Sequence, residues 1–135
     1  MSDPVVLLDT NIVSHVMRHP VGRAAQRLAE YEFGEVGIST IVLSELLFGI
    51  EKSGSFHLRL SLDFLVRRIV KLPFDDNAAT SYGAVRSALE RAGTPIGPQD
   101  TFIAAHALAL DLLLITANIR EFSRVPGLQV ENWLD

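Results

Sequence analysis

Three acidic side chains occupy positions at which a protein could carry out chemistry on a phosphate. Asp9 ends the apolar run VVLL, Glu45 lies in the apolar segment SELLFG, and Asp100 follows the Gly97–Pro98 turn. Carboxylates that are brought close together raise each other's pKa, and a divalent cation relieves that repulsion. Such a site suits phosphodiester hydrolysis, because the cation lowers the pKa of bound water and stabilises charge on phosphoryl oxygens.

The kind of metal follows from the ligands that the chain can offer. The sequence contains no cysteine, so disulfides and thiolate metal sites are excluded. Oxygen ligands favour hard cations, above all Mg²⁺, with Mn²⁺ as a substitute.

Each acid also has a simpler interpretation. Asp9 could cap a helix, Glu45 could lie on a solvated helix face, and Asp100 could be a helix-start acid favoured by the helix dipole. Only the arrangement of all three favours a catalytic site.

Composition describes an ordinary globular chain. Of 135 residues, 48 % are hydrophobic and 21 % are charged, which predicts a single domain over residues 1–135. We see no secretory signal and no apolar run long enough to span a membrane, so we expect a cytoplasmic protein. The formal charge of −4 argues against a general polyanion binder but allows a local basic patch.

Short apolar runs alternate with longer helical segments, which predicts an α/β fold with a central, mainly parallel sheet. The predicted strands are Val5–Leu8, Glu35–Ser39, Val70–Phe74 and Leu112–Thr116, with a further edge strand in 128–133. The predicted helices cover 11–17, 21–31, 40–53, 56–69, 77–92 and 101–110, with one helical turn in 117–127. The predicted helix caps are Thr10 or Asn11, Ser39 or Thr40, and Asp75.

The predicted topology indicates where the acids meet. In parallel α/β sheets, ligand sites lie at the carboxyl ends of the strands. Asp9 lies at such an end, Glu45 is one turn into the helix after the second strand, and Asp100 is at a helix start. We therefore expect the three side chains at one edge of the sheet.

Four segments in this order resemble the PIN-domain nucleases, and among them the VapC-type toxins of bacterial type II toxin–antitoxin pairs. The segments are LLDTN, SELLFG, GPQDTFIAAHAL and LLLITANIREFSRVPGL. They extend over nearly the whole chain. The resemblance implies an α/β/α sandwich, Mg²⁺-dependent ribonuclease activity on structured RNA such as tRNA, and a homodimer of toxin chains. It also implies a small VapB-type antitoxin that occupies the active-site groove, within a higher toxin–antitoxin assembly.

The resemblance assigns roles to particular residues. It implies that Asp9 and Asp100 bind the metal and that Asp9, Glu45 and Asp100 are catalytic. The family often has a fourth polar or acidic position after the last core strand, where this chain has the neutral Asn118. The candidates for that position, or for supporting the three acids, are Thr10, Asn11, Thr116, Asn118 and Glu121.

Basic and apolar side chains suggest how partners bind. Arg86, Arg120 and Arg124 are the candidate RNA-binding residues, because arginine contacts with phosphate stabilise such complexes. An apolar stripe of Phe56, Leu60, Phe64 and Leu65, with Leu46, Leu47 and Ile50, is either core or a groove for the antitoxin or a second subunit.

Two alternatives remain at this point. A phosphoryl-transfer receiver domain has a similar length and an acid at a strand end, but the acidic pair that it needs after the first strand is absent. A catalytically degenerate PIN-like module would bind antitoxin or RNA without cleaving it, and Asn118 is the feature that favours it.

Overall fold

The computed structural model describes residues 3–134, and their centre is a five-stranded sheet. Its order is β3-β2-β1-β4-β5, and every pair of neighbouring strands is parallel. The strands are β1 Val6–Leu8, β2 Val36–Ser39, β3 Val70–Leu72, β4 Leu113–Ile115 and β5 Val130–Glu131. The predicted α/β class is confirmed, and the edge strand predicted in 128–133 is β5.

The position of β1 in the middle of the sheet follows from its sequence. A central parallel strand is covered on both faces, so it carries consecutive apolar residues instead of alternating ones. All residues of β1 and β2 are buried. Asp9, which directly follows β1, is therefore held at the centre of the sheet's carboxyl edge.

Seven helices flank the sheet within the described residues. They are α1 Thr10–Arg18, α2 Arg23–Ala29, α3 Thr40–Ser53, α4 Phe56–Leu65, α5 Asp76–Arg91, α6 Pro98–Leu110 and α7 Ile119–Phe122. Helix α1 packs against α2, α3 and α4, and α5 packs along α6. Most residues in the middle of α6 are buried, as its nearly continuous apolar sequence predicts.

Several helix boundaries differ from the prediction, including those of α2, which covers Arg23–Ala29 instead of 21–31. Helix α1 begins at Thr10 because Asp9, and not Thr10 or Asn11, is its N-cap. Helix α6 begins three residues earlier than predicted, because Pro98 occupies its first turn, where a fixed φ and a missing N–H cost nothing. Helix α4 ends at Leu65 instead of continuing to 69.

Other boundary signals are confirmed. Ser39 and Asp75 cap α3 and α5 through side-chain oxygens, as predicted. Strand β3 stops at Leu72, before Pro73, which has no N–H for the ladder. Across residues 3–134, no helix has both the length and the apolar character needed to cross a membrane.

Candidate active site

Asp9 lies at the end of β1 and is almost fully buried, with 5 % of its surface exposed. Its Oδ1 accepts a hydrogen bond from the Ile12 N–H at 2.9 Å, so the side chain caps α1. The Thr116 hydroxyl, at the end of β4, also donates to this carboxylate. Burial raises the pKa of Asp9 and the nearby Glu45 charge adds to that effect, while the hydrogen bonds oppose it. Asp9 is thus both a helix cap and a carboxylate of the candidate site, so its two interpretations from the sequence do not exclude each other.

Glu45 is fixed from the first turn of the neighbouring helix. The Thr10 hydroxyl donates to Glu45 Oε1 at 2.7 Å across α1 and α3. Glu45 is half-buried. The side chain of Asn11 is exposed, whereas its backbone N–H contributes a hydrogen bond to Asp9. Of these two neighbours of Asp9, Thr10 is the one whose side chain orients another site residue.

Asp100 lies in the first turn of α6 and faces the other acids. Its pKa is raised to about 7, first by burial, then by the hydrogen bond and charge of Glu121, and then by the charges of Asp9 and Glu45. Asp9, Glu45 and Asp100 lie on separate elements, after β1, in α3 and in the first turn of α6, and the charges of Asp9 and Glu45 act on Asp100. Their convergence on one cation stays a prediction.

Glu121, on α7, supplies a further carboxylate beside Asp100. Its Oε1 accepts the Gly97 N–H at 3.0 Å, and its Oε2 accepts the Asn118 side-chain amide. The Gly97 N–H is the main cause that lowers the pKa of Glu121. Asn118 therefore orients Glu121 without itself supplying charge, and Glu121 stays a candidate for the fourth position.

Thr116 connects Asp9 with Asn118 through two hydrogen bonds. It is fully buried, and its hydroxyl oxygen accepts the Asn118 backbone N–H at 2.9 Å while the hydroxyl donates to Asp9. Thr116 and Asn118 are among the residues that the sequence predicts for the site, whereas the contact of Gly97 with Glu121 was not predicted. The Gly97–Pro98 turn was the available signal, although it indicated only a loop.

The donor set can be tested against a divalent cation. Within residues 3–134, no three or more carboxylate or imidazole groups are arranged as a complete metal site. Mg²⁺ does not require one, since it retains several waters and uses one or two carboxylates together with substrate phosphates. The oxygen-only donors and the raised pKa values of Asp9 and Asp100 fit such a cation, because its charge would offset their repulsion.

The three candidate RNA-binding arginines have different surroundings. Arg86 pairs with Glu90 at 2.9 Å and donates to the Tyr82 hydroxyl at 3.1 Å. Arg124 donates to the Pro95 carbonyl at 3.0 Å, on the loop before α6. Arg120 is exposed on α7, next to Glu121. Arg120 and Arg124 therefore lie beside Glu121 or the loop before α6, whereas Arg86 is paired within α5.

Comparison with known proteins gives the class of protein that this fold and site define. The PIN domain model matches residues 6–128. The chain belongs to the PIN-domain family.

The relatives and structural neighbours point to one branch of that family. The chain is 39 % identical to the tRNA(fMet)-specific endonuclease VapC of Shigella flexneri over 128 residues, which cover 94 % of this chain and 96 % of the relative. It is 37 % identical to ribonuclease VapC2 of Rickettsia felis, over 96 % of this chain and 98 % of that protein. The crystal structure of DNA-bound VapBC from Salmonella typhimurium aligns with a TM-score of 0.86 at 34 % identity, covering 96 % of this chain and 98 % of that one.

These findings confirm the predicted resemblance to VapC-type PIN-domain ribonucleases. They also confirm the PIN-like form of the fold. The receiver-domain alternative is wrong, because the family match extends over most of the chain.

Proposed function

We propose that this chain is the toxin of a VapBC-type pair, a divalent-metal-dependent endoribonuclease that hydrolyses phosphodiester bonds in structured RNA. tRNA is the proposed substrate, and relatives named tRNA(fMet)-specific endonuclease support that choice. We place this activity in one domain over residues 1–135 and in the cytoplasm. The observation that carries the proposal is that Asp9 caps α1 while Thr10, the first residue of that helix, donates to Glu45, and that the charges of both acids act on Asp100.

The proposed roles follow from the surroundings of each acid. Asp9 and Asp100 would hold Mg²⁺, or Mn²⁺ in its place, directly or through water. When bound, the cation supplies positive charge that favours ionised water and offsets charge on the phosphoryl oxygens. The hydrogen bonds from Thr116 and the Ile12 N–H hold the Asp9 carboxylate in one orientation toward the site.

Glu45 is the proposed proton acceptor for the attacking water. Thr10 donates to one of its oxygens, which fixes the carboxylate plane and leaves the other oxygen for the proton. Attack by water on phosphorus, with departure of the 3′ oxygen, leaves a 5′-phosphate and a 3′-hydroxyl. Glu121 holds the Gly97 N–H and so fixes the start of the helix that carries Asp100.

The proposed inhibitory partner is a VapB-type antitoxin, as in the VapBC complexes that share this fold. Phe56, Leu60 and Phe64 are more than half exposed along one face of α4 and suit an apolar segment of such a partner. Leu46, Ile50 and Leu65 are buried in the core, as the core interpretation of the stripe predicts. We also propose a homodimer of toxin chains within a higher toxin–antitoxin assembly.

The function is tested with purified chain and bulk tRNA, with Mg²⁺ or with EDTA. We expect cleavage products with 5′-phosphates that appear only with the cation and are absent for Asp9→Asn. Expression without antitoxin should arrest growth for the wild type and spare it for Asp9→Asn. Equal arrest by both chains, or cleavage that persists in EDTA, would overturn the proposal and favour contamination or a non-catalytic toxin.

A further inference from the structure

An aromatic side chain is exposed next to Glu45 and stacks on no other ring among the residues that the structure describes. Phe48 is 68 % exposed on α3, three residues after Glu45. Among residues 3–134 it stacks on no other ring, unlike Phe102, which stacks on Tyr82 at 4.3 Å between ring centroids. Exposing a large aromatic surface to water is unfavourable, so its position beside the acids suggests a ligand.

Phe48 borders a cavity of about 610 Å³ that reaches Glu45. Thr10 and Glu45, the hydrogen-bonded pair of the candidate site, form part of its lining. Ile41, Phe48 and Phe102 provide apolar walls, and Gln99 contributes an amide. We call this space the Phe48 cavity. It is continuous with the candidate active site, because both contain Thr10 and Glu45.

The Phe48 cavity has a rigid aromatic wall, Phe102, and a polar side chain, Gln99. Phe102 is fixed on one side by Tyr82 and on the other by Phe74, which meets it edge-on at 5.4 Å. Gln99 directly precedes Asp100, is exposed, and makes no side-chain hydrogen bond within residues 3–134. Its amide can both donate and accept, which suits the edge of a nucleobase.

We propose that Phe48 is a stacking platform for the unpaired nucleobase adjacent to the cleaved phosphate, with Gln99 contacting the edge of that base. The inference rests on the proposed ribonuclease function and adds a residue that determines substrate binding. Proteins bind single-stranded nucleic acid by stacking bases on aromatic side chains, and they recognise RNA chiefly at unpaired bases that can turn outward. If Asp9 and Asp100 hold a cation that binds the cleaved phosphate, the neighbouring base would lie toward the Phe48 cavity, whose lining includes Thr10 and Glu45.

The test combines one substitution in the protein with one in the RNA. A short single-stranded RNA that the chain cleaves is prepared intact and with an abasic site at each position flanking the cut. For the wild type, one abasic site should raise KM by between about 5-fold and 100-fold, the range expected for loss of one stacked base. Phe48→Ala should raise KM for the intact RNA by a similar factor, with kcat within about twofold. The abasic site should then cause no further rise in Phe48→Ala.

Three controls identify the cause. Phe48→Trp should keep KM near the wild-type value, since a larger aromatic ring still stacks. Phe33→Ala removes another exposed aromatic residue, which precedes β2 and thus lies toward the opposite edge of the sheet, and it should leave KM unchanged. Thermal melting should show that all variants fold.

Several outcomes overturn the inference. One is an unchanged KM in Phe48→Ala, and another is an abasic penalty that persists in that variant. A third is a change of molar mass by light scattering in Phe48→Ala, which would assign the residue to contact between two copies of the chain. If the wild type cleaves no RNA, the proposed function fails separately. In that case, binding of labelled single-stranded RNA to the wild type and Phe48→Ala is measured in EDTA, and equal affinities overturn the inference.

Discussion

The two sides of the candidate site are built by different means. On the inner side, Asp9 follows the central strand and is held by neutral donors, the Ile12 N–H and the Thr116 hydroxyl. On the outer side, Asp100 starts a helix, is half-buried, and has another carboxylate, Glu121, as its hydrogen-bond partner. The inner acid is thus fixed in place, whereas the outer acid depends on the charges around it.

This difference suggests that the two sides have different functions in the site. Neutral donors stabilise the ionised form of Asp9 and partly offset the cost of its burial. The carboxylate pair of Asp100 and Glu121 has no such donor for Asp100, so its repulsion is relieved by a proton or by a cation. The inner side would fix the position of the Asp9 carboxylate. The outer side would make the stability and activity of the protein depend on the cation and on pH.

The largest expected effect is on the inner side. Asp9→Asn should lower kcat/KM for RNA cleavage by at least about 100-fold, since a preorganised charge at the reacting phosphate is lost. Folding should be maintained, because Asn is as good an N-cap as Asp and still accepts from the Ile12 N–H. Cleavage assays and thermal melting of the same preparation measure the two effects.

Asp9→Ala provides the matched comparison. It removes both the charge and the cap, so it should lose activity like Asp9→Asn and also lose about 1 kcal/mol of stability. If Asp9→Asn unfolds the chain as readily as Asp9→Ala does, the residue's importance is structural and the proposed difference between the two sides fails.

The next effect concerns the outer side and its dependence on pH. Without a divalent cation, folded Asp100 has a pKa of about 7, whereas the unfolded value is 3.8. Between these values the folded state binds more protons, so stability falls as pH rises from about 4 to 7 and then levels off. Mg²⁺ bound to the ionised acids offsets that loss. We therefore expect Mg²⁺ to raise Tm more at about pH 8 than at about pH 5.

Asp100→Asn tests the origin of that behaviour. The variant should melt at a higher temperature than the wild type in EDTA at about pH 8, should gain less from Mg²⁺, and should cleave RNA poorly. Asp63→Asn, which changes an exposed acid on α4, controls for net charge and should leave the Mg²⁺ effect intact. An equal Mg²⁺ shift in Asp100→Asn and the wild type would exclude Asp100 as a metal ligand.

The inner side of the site could be predicted from the sequence more fully than the outer side. The buried run before Asp9 determines a central strand, and the strand end determines the position of its acid, so the inner side followed from hydrophobic pattern alone. The outer side depends on Glu121 reaching Gly97 across 24 positions of the chain, which periodicity does not encode. The sequence left the cap of α1 open between Asp9, Thr10 and Asn11, because all three residue types are good caps and only the backbone geometry distinguishes them.

A smaller effect compares the two residues that support the acids. Glu121→Gln retains an acceptor for the Gly97 N–H but removes the charge beside Asp100. We expect the apparent Mg²⁺ affinity to fall about 10-fold, which is the smaller loss seen when a group that supports a metal ligand is removed. Stability should change little.

Thr116→Val is the counterpart on the inner side. It removes the hydroxyl that donates to Asp9 and leaves the Asn118 N–H without an acceptor, so stability should fall by about 1–3 kcal/mol. For both variants, the Mg²⁺ dependence of cleavage measures the apparent Mg²⁺ affinity, and urea unfolding measures the stability. The opposite pattern, with Glu121→Gln unstable and Thr116→Val affecting only Mg²⁺ affinity, would reverse the proposed roles of the two sides.

The smallest effect asks whether the outer side also faces the RNA. Arg120 is exposed next to Glu121, and a contact with one phosphate would contribute about 0.7 to the slope of log affinity against log salt for single-stranded RNA. Arg120→Gln should therefore weaken RNA binding a few-fold at low salt and flatten that slope by about the same amount. Arg67→Gln serves as the control, because Arg67 is exposed just before β3, toward the amino edge of the sheet. Equal slopes for both variants would mean that the RNA does not pass over α7, and the outer side would then serve the cation alone.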